Sequence, residues 1–135
     1  MLTDGKKDLI IVPYDFTDQS QTALMHATAI AVHNKDEVRL LHVTDEHTKK
    51  KIKKAGYFKK HIDEDVEDAL EEIARENQTT TGVKTTWYAE EGDFLYDIGH
   101  YIKNSKAQFC VMGTHGVHGL QHIVGANSLK IVASS

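Results

Sequence analysis

The stretch Phe109-Cys-Val-Met-Gly-Thr-His-Gly-Val-His-Gly-Leu-Gln-His-Ile-Val-Gly-Ala126 reads as a strand that opens into a glycine-rich loop. Phe109 to Met112 is an apolar run, and Gly113, Gly116 and Gly119 follow directly. Glycine lets the main chain approach an anion closely and turn its N–H groups towards it, and a following helix start adds a favourable dipole. A glycine cluster after a strand is also the ordinary device for a tight turn that needs positive φ. A second polar loop, Pro13-Tyr-Asp-Phe-Thr-Asp18, occupies the matching place in the first unit of the chain and favours the ligand reading.

Working outward, Leu9-Ile-Ile-Val12 is unbroken apolar, as in a strand buried on both faces of a parallel sheet, and Pro13 closes it. Asp18 and Gln21 form an expected capping pair for a helix that carries Ala23, Leu24, Ala27, Ile30 and Ala31. Val38 to Val43 reads as the second strand, followed by a lysine-rich connection and a helix with Ile62, Val66, Ala69, Leu70 and Ile73 on one face. Val83 to Tyr88 alternates more and reads as an edge strand, with Trp87 and Tyr88 beneath a helix. Gly92-Asp93 offers a turn and N-cap for a third helix with Leu95, Ile98 and Ile102 inward. Phe109 to Met112 is the fourth strand, and Leu120, Ile123, Val124 and Ile131 point to a fourth helix.

Strands alternating with helices of this length imply right-handed crossovers, and the class is α/β: an open parallel sheet with helices on both faces. Ligands of such sheets bind beyond the carboxyl ends of the strands, where strand order reverses, so the loops after strands one and four are the ones to inspect. With 135 residues the chain fits one domain. A net charge of −4 argues against non-specific nucleic-acid binding, which leaves a basic footprint. No stretch reaches the length of a membrane span, and the single cysteine, Cys110, sits in an apolar run, so a cytoplasmic chain is expected with Cys110 in the core.

The loops Pro13 to Asp18 and Met112 to Ala126 together resemble the universal stress protein family, the UspA-like α/β domains. Nucleotide-binding members of that family carry Pro-x-Asp-x-Ser/Thr after strand one and Met-Gly-x-x-Gly, nine residues, then Gly-Ser or Gly-Thr after strand four. Leu41-His42-Val43 and Glu91-Gly92-Asp93 look like the family too, and the resemblance covers essentially the whole chain. It implies a sheet ordered 3-2-1-4-5, adenine held near Asp15 and Val43, and phosphates over the glycine loop. The nucleotide-binding residues it implies are Pro13, Tyr14, Asp15, Thr17, Val43, Met112, Gly113, His115, Gly116, Gly125, Ala126 and Asn127. The implied ligand is ATP with Mg2+, and the implied role is a sensor or regulator with no catalytic residue assigned.

Each residue type also has a plainer use. Asp15 suits an adenine amine or ribose hydroxyl as acceptor, and equally suits an Asx turn or helix cap. Val43 and Met112 suit an apolar wall against a base, and equally suit the core.

Two departures from the family pattern stand out. Only eight residues, Val117 to Val124, separate Gly116 from Gly125, and Ala126 stands where the pattern has Ser or Thr. One hydroxyl contact to phosphate is therefore missing, and family members that have lost ATP binding are the fitting comparison. The chain also stops at Ile131-Val-Ala-Ser-Ser135, from which the fifth strand is expected to be missing: residues 1–135 then form a single domain that is incomplete at its C-terminus or the first half of a tandem pair.

His115, His118 and His122 lie within the loop, but no cysteine or carboxylate stands beside them to complete a metal site, and none is assigned. Seven lysines between Lys49 and Lys60 read as a solvated connection. The rival to nucleotide sensing is a degenerate interaction module that pairs with a like domain or forms a homodimer. Ala126 and the shortened spacing favour that rival, whereas Asp15 and the intact glycines favour the first reading.

Overall fold

A computed structural model of the chain describes residues 8–45, 65–105, 107, 109–113 and 130–134. Within them run β1 (Leu9–Pro13), α1 (Asp18–Asn34), β2 (Glu37–Thr44), α2 (Val66–Thr81), β3 (Thr85–Glu91), α3 (Phe94–Ser105), β4 (Phe109–Gly113) and β5 (Lys130–Ser134). The strands form one sheet in the order β3-β2-β1-β4-β5, with every described pairing parallel.

The unbroken apolar runs are explained by two cores. Ile10 and Val12 face one side of β1, with Val38, Leu40 and Val111 from its neighbours, and meet Ala23, Leu24 and Ala27 of α1 and Ala69, Leu70 and Ala74 of α2. Ile11, Leu41, Val43, Cys110 and Met112 face the other side and meet Ile98 and Ile102 of α3. Full burial of one such aliphatic side chain contributes about 1.5–3 kcal/mol, so both faces must be covered for these strands to be stable. Helices α1 and α2 share a face because β1→β2→β3 steps one way across the sheet; α3 returns to β4 in the opposite sense and so lies on the other.

The helix ends are locally encoded, with corrections. Thr17, not Asp18, caps α1, its side chain accepting from the Ser20 N–H. Gln21 is drawn away to accept from the Tyr14 hydroxyl at 2.8 Å. Asp65 caps α2 by accepting from Asp68 N–H at 2.8 Å, and Gly82 ends it in the left-handed conformation. Ile62, expected on this helix, lies outside the described residues. Before α3, the Asp97 carboxylate accepts from Asp93 N–H at 2.7 Å, closing the Gly92-Asp93 turn.

Two strands differ from expectation. β3 begins at Thr85 rather than Val83, because Val83 still belongs to the turn out of α2, where its N–H donates to Thr81 Oγ1. The expected absence of a fifth strand is overturned: Lys130–Ser134 forms β5, with Cys110 opposite Ile131 and Val111 opposite Val132. Ile131 thus belongs to a strand, not to a fourth helix, while Leu120, Ile123 and Val124 lie outside the described residues. Three apolar residues followed by serines carry little local strand signal; the ladder of β4 supplies the partner that the local pattern lacks. β4 is consequently an inner strand between β1 and β5, so Phe109 to Met112 does not form an edge of the sheet.

Candidate functional site at the carboxyl edge of the sheet

The loops leaving β1 and β4 emerge at one end of the sheet, from adjacent strands. Ile11 pairs with Cys110, and two residues further on each strand stand Pro13 and Met112. On the other side Pro13 pairs with Leu41, so Asp15 and Val43 lie two residues beyond that rung. Strand order reverses here, since β1 leads through α1 to β2 while β4 arrives from α3 on the opposite face. The juxtaposition of Asp15 with the start of the glycine loop at Gly113 is therefore as the sequence reading expected.

The β1 loop is tied down residue by residue. Asp15 Oδ1 accepts from the Thr17 N–H at 3.2 Å and from the Thr17 hydroxyl, which is an Asx turn. Thr17 Oγ1 in turn accepts from Ser20 N–H at 3.2 Å, and Ser20 Oγ donates to the Thr17 carbonyl at 3.0 Å. Phe16, between them, has a φ of 66°, a left-handed conformation that costs a side-chain-bearing residue about 1–2 kcal/mol. Its ring is 7% exposed and packs edge-on to Tyr14 and to His42, so burial holds the strained turn in place. The Tyr14 phenol is buried and its pKa is pushed well above the ordinary 10.0, first by burial and then by the Asp15 charge, so it stays a neutral donor to Gln21.

Of the expected contact residues, Pro13 and Tyr14 are buried, Asp15 and Thr17 half-buried, and Val43 and Met112 are 1% and 4% exposed. Val43 and Met112 are thus core residues of the α3 face. Gly113 ends β4, and its backbone pairs with Ser134 of β5. His115, Gly116, Gly125, Ala126 and Asn127 lie outside the described residues. Among the described residues no group of three His, Cys, Asp or Glu side chains is placed to hold a metal ion, and no helix is long and apolar enough to cross a membrane. Cys110 is fully buried, and burial alone raises its thiol far above the ordinary value, which fits the core role expected of it.

The sequence reading assigned no role at this site to His42, Phe16 or Ser20. His42 has no exposure, and its Nδ1 lies 2.8 Å from the Tyr14 carbonyl oxygen. A carbonyl only accepts, so Nδ1 carries the proton and Nε2 presents a lone pair; Nε2 is buried and has no hydrogen-bond partner among the described residues. Burial lowers the His42 pKa below the ordinary 6.5, outweighing the Tyr14 carbonyl and the charges of Asp15 and Asp45, which act to raise it. A separate open groove of about 340 Å³ lies at the far edge of the sheet, between α2 and β3, lined by Glu71, Arg75, Gln78 and Trp87 among others. Trp87 there donates to Glu71, packing under α2 as expected, whereas Tyr88, expected beneath a helix as well, is 41% exposed and stacks on Tyr101 of α3.

An open parallel sheet in the order 3-2-1-4-5, with an Asx-turn loop after β1 and Gly113 ending the neighbouring β4 at its switch point, defines a class of α/β domain rather than a single activity. Residues 8–135 match the model of the Universal stress protein family, and the chain belongs to that family. No curated protein sequence matches it. Solved structures share the fold. The universal stress protein UspA from Lactobacillus plantarum is 15% identical, with a TM-score of 0.66 over 98% of this chain and 100% of that one. A universal stress protein from Archaeoglobus fulgidus in complex with dAMP is 13% identical, with a TM-score of 0.64 over 96% and 98% of the two chains. A universal stress protein in complex with cAMP is 15% identical, with a TM-score of 0.58 over 95% and 96%.

Proposed function

We propose that this domain binds an adenine nucleotide at the carboxyl edge of β1 and β4 and acts as a sensor or regulator through that binding. The observation that carries the reading is the meeting of the Asp15 loop with Gly113 at the switch point, on the fold that related proteins use in complexes with cAMP and dAMP. In this reading the Asp15 carboxylate, oriented by Thr17, accepts from a ribose hydroxyl or the adenine amine, and backbone N–H groups after Gly113 receive the phosphates. ATP with Mg2+ is the ligand that the family resemblance implies, the metal ion neutralising phosphate charge in a chain that is itself acidic. Binding orders the glycine loop against the fixed β1 loop and so alters a surface offered to a second copy or another like domain.

Calorimetric titration of the purified chain with ATP and magnesium, and with cAMP, tests the proposal. Saturable heat lost in an Asp15→Ala variant supports it; no heat with either nucleotide removes it. The second reading, a nucleotide-free association module, rests on Ala126 and on the eight-residue spacing between Gly116 and Gly125. It is selected if the chain dimerises with no nucleotide bound.

A further inference from the structure

We propose that His42 is the positioning residue of the nucleotide loop: as a neutral imidazole it pins the strained Tyr14–Thr17 turn through the Tyr14 carbonyl, and acidification releases the turn. The inference rests on the reading of this edge as a nucleotide site, and extends it to how the site is held and regulated.

Three observations combine. The first is the hydrogen bond from Nδ1 to the Tyr14 carbonyl at 2.8 Å, directly before Asp15. Next, Phe16 at a φ of 66° is a conformation that the chain does not adopt without external restraint, and the His42 ring is packed on it. Last, Nε2 is buried and has no hydrogen-bond partner among the described residues. A proton added at Nε2 is therefore a buried donor with nothing to bond, and the ring must move outward to reach water. That movement withdraws Nδ1 from the Tyr14 carbonyl.

The surroundings fix the direction of the effect. Among the described residues, the charged groups acting on His42 are Asp15 from the β1 loop and Asp45 beyond the end of β2. Its β3 neighbour is Ala89, and the ring contact from the α1 side is Phe16; neither can share a proton. The folded pKa lies below 6.5, so the unfolded chain binds the proton more readily. The stabilisation is fully present above pH 6.5 and is lost as pH falls through the lowered folded value.

The test compares the native chain with His42→Asn, whose amide nitrogen takes the place of Nδ1 but does not titrate, and with His42→Leu, which has no donor. Cyclic AMP is the probe, because its phosphodiester keeps one charge throughout this range. Native affinity is expected to be weaker by about tenfold or more at pH 5 than at pH 7.5, while His42→Asn holds a nearly constant affinity. His42→Leu is expected to bind weakly at both. Two measurements need no nucleotide: imidazole nitrogen shifts, which report the tautomer, and amide exchange at Tyr14 to Thr17, corrected for intrinsic rates. An Nδ1-protonated ring at neutral pH, with loop protection that drops on acidification in the native chain and not in His42→Asn, supports the inference even if no nucleotide binds. An Nε2-protonated ring, or loop protection that ignores pH in the native chain, overturns it.

Discussion

The Asn77 amide on α2 donates to the Thr28 hydroxyl on α1 at 3.2 Å, joining the two helices that share one face of the sheet. The same amide donates to Thr85 Oγ1 at 3.0 Å, where β3 begins. Both hydroxyls have already spent their own protons, Thr28 on the Leu24 carbonyl and Thr85 on the Val83 carbonyl. One NH2 group therefore satisfies two acceptors inside an otherwise apolar layer. Asn77→Ala is expected to cost about 1–3 kcal/mol, the range for leaving buried partners unsatisfied. Asn77→Asp is expected to be worse than Ala at neutral pH, because a carboxylate would face two oxygens with no proton to offer. Urea denaturation of the three proteins checks the order.

The two helix C-caps make opposite predictions. Lys35 ends α1 at a φ of 58°, and Gly82 ends α2 at a φ of 78°, both left-handed. Gly82 has open space where a Cβ would sit, so Gly82→Ala is opposed by backbone conformation alone and is expected to lose about 1 kcal/mol. Lys35→Gly is expected to gain a few tenths to about 1 kcal/mol, relieving the same strain. Thermal unfolding midpoints that move in one direction for both variants would refute the argument.

Asp36 carries a buried oxygen, Oδ2, that has no hydrogen-bond partner among the described residues. Burial, with the nearby Asp8 charge, raises its pKa above the ordinary 3.8 despite hydrogen bonds from the Asp8 backbone and Asn34. A carboxyl whose folded pKa is raised binds its proton better in the folded state, so it lowers stability as pH climbs from 3.8 through the raised value. Asp36→Asn is expected to be more stable than the native chain at pH 7, with the advantage vanishing near pH 3. Glu37 next to it works in the opposite sense. The Thr86 hydroxyl, with Arg39 and Lys84, holds its carboxyl below the ordinary value against the effect of burial, and its contribution is lost at low pH. Stability measured against pH for the single variants separates the two.

If the proposed site binds ATP, restoring the hydroxyl that the family pattern carries after Gly125 should strengthen it. Ala126→Ser is expected to tighten binding by about 1.5–3 kcal/mol, roughly tenfold or more, as for a hydrogen bond to a charged group. Titration of this variant beside the native chain is the measurement. No gain would move the cause to the eight-residue spacing.

The sequence by itself determined whatever repeats along the chain. Leu9 to Val12 is apolar without alternation, and Val38 to Val43 nearly so with Arg39 and His42 as its polar members, because both sheet faces are covered, and that pattern implies the parallel α/β class. The spacing of Ala69, Leu70 and Ile73, and of Ile98 and Ile102, marks helices because each repeat is local. Pro13-Tyr-Asp-Phe-Thr and the glycines located the candidate site because loop chemistry is written in consecutive residues. Tertiary structure decided what depends on partners distant in sequence. Ile131 became a strand residue because Cys110 offered its backbone, a choice that three apolar residues do not specify. Gln21 left the helix cap for Tyr14, and Thr17 took the cap that Asp18 was expected to fill. His42 reads in sequence as one of two polar residues, with Arg39, in a mostly apolar run. Only the fold sets its ring against Phe16 and its Nδ1 on the Tyr14 carbonyl, because a contact across 28 residues is fixed by strand pairing and not by spacing.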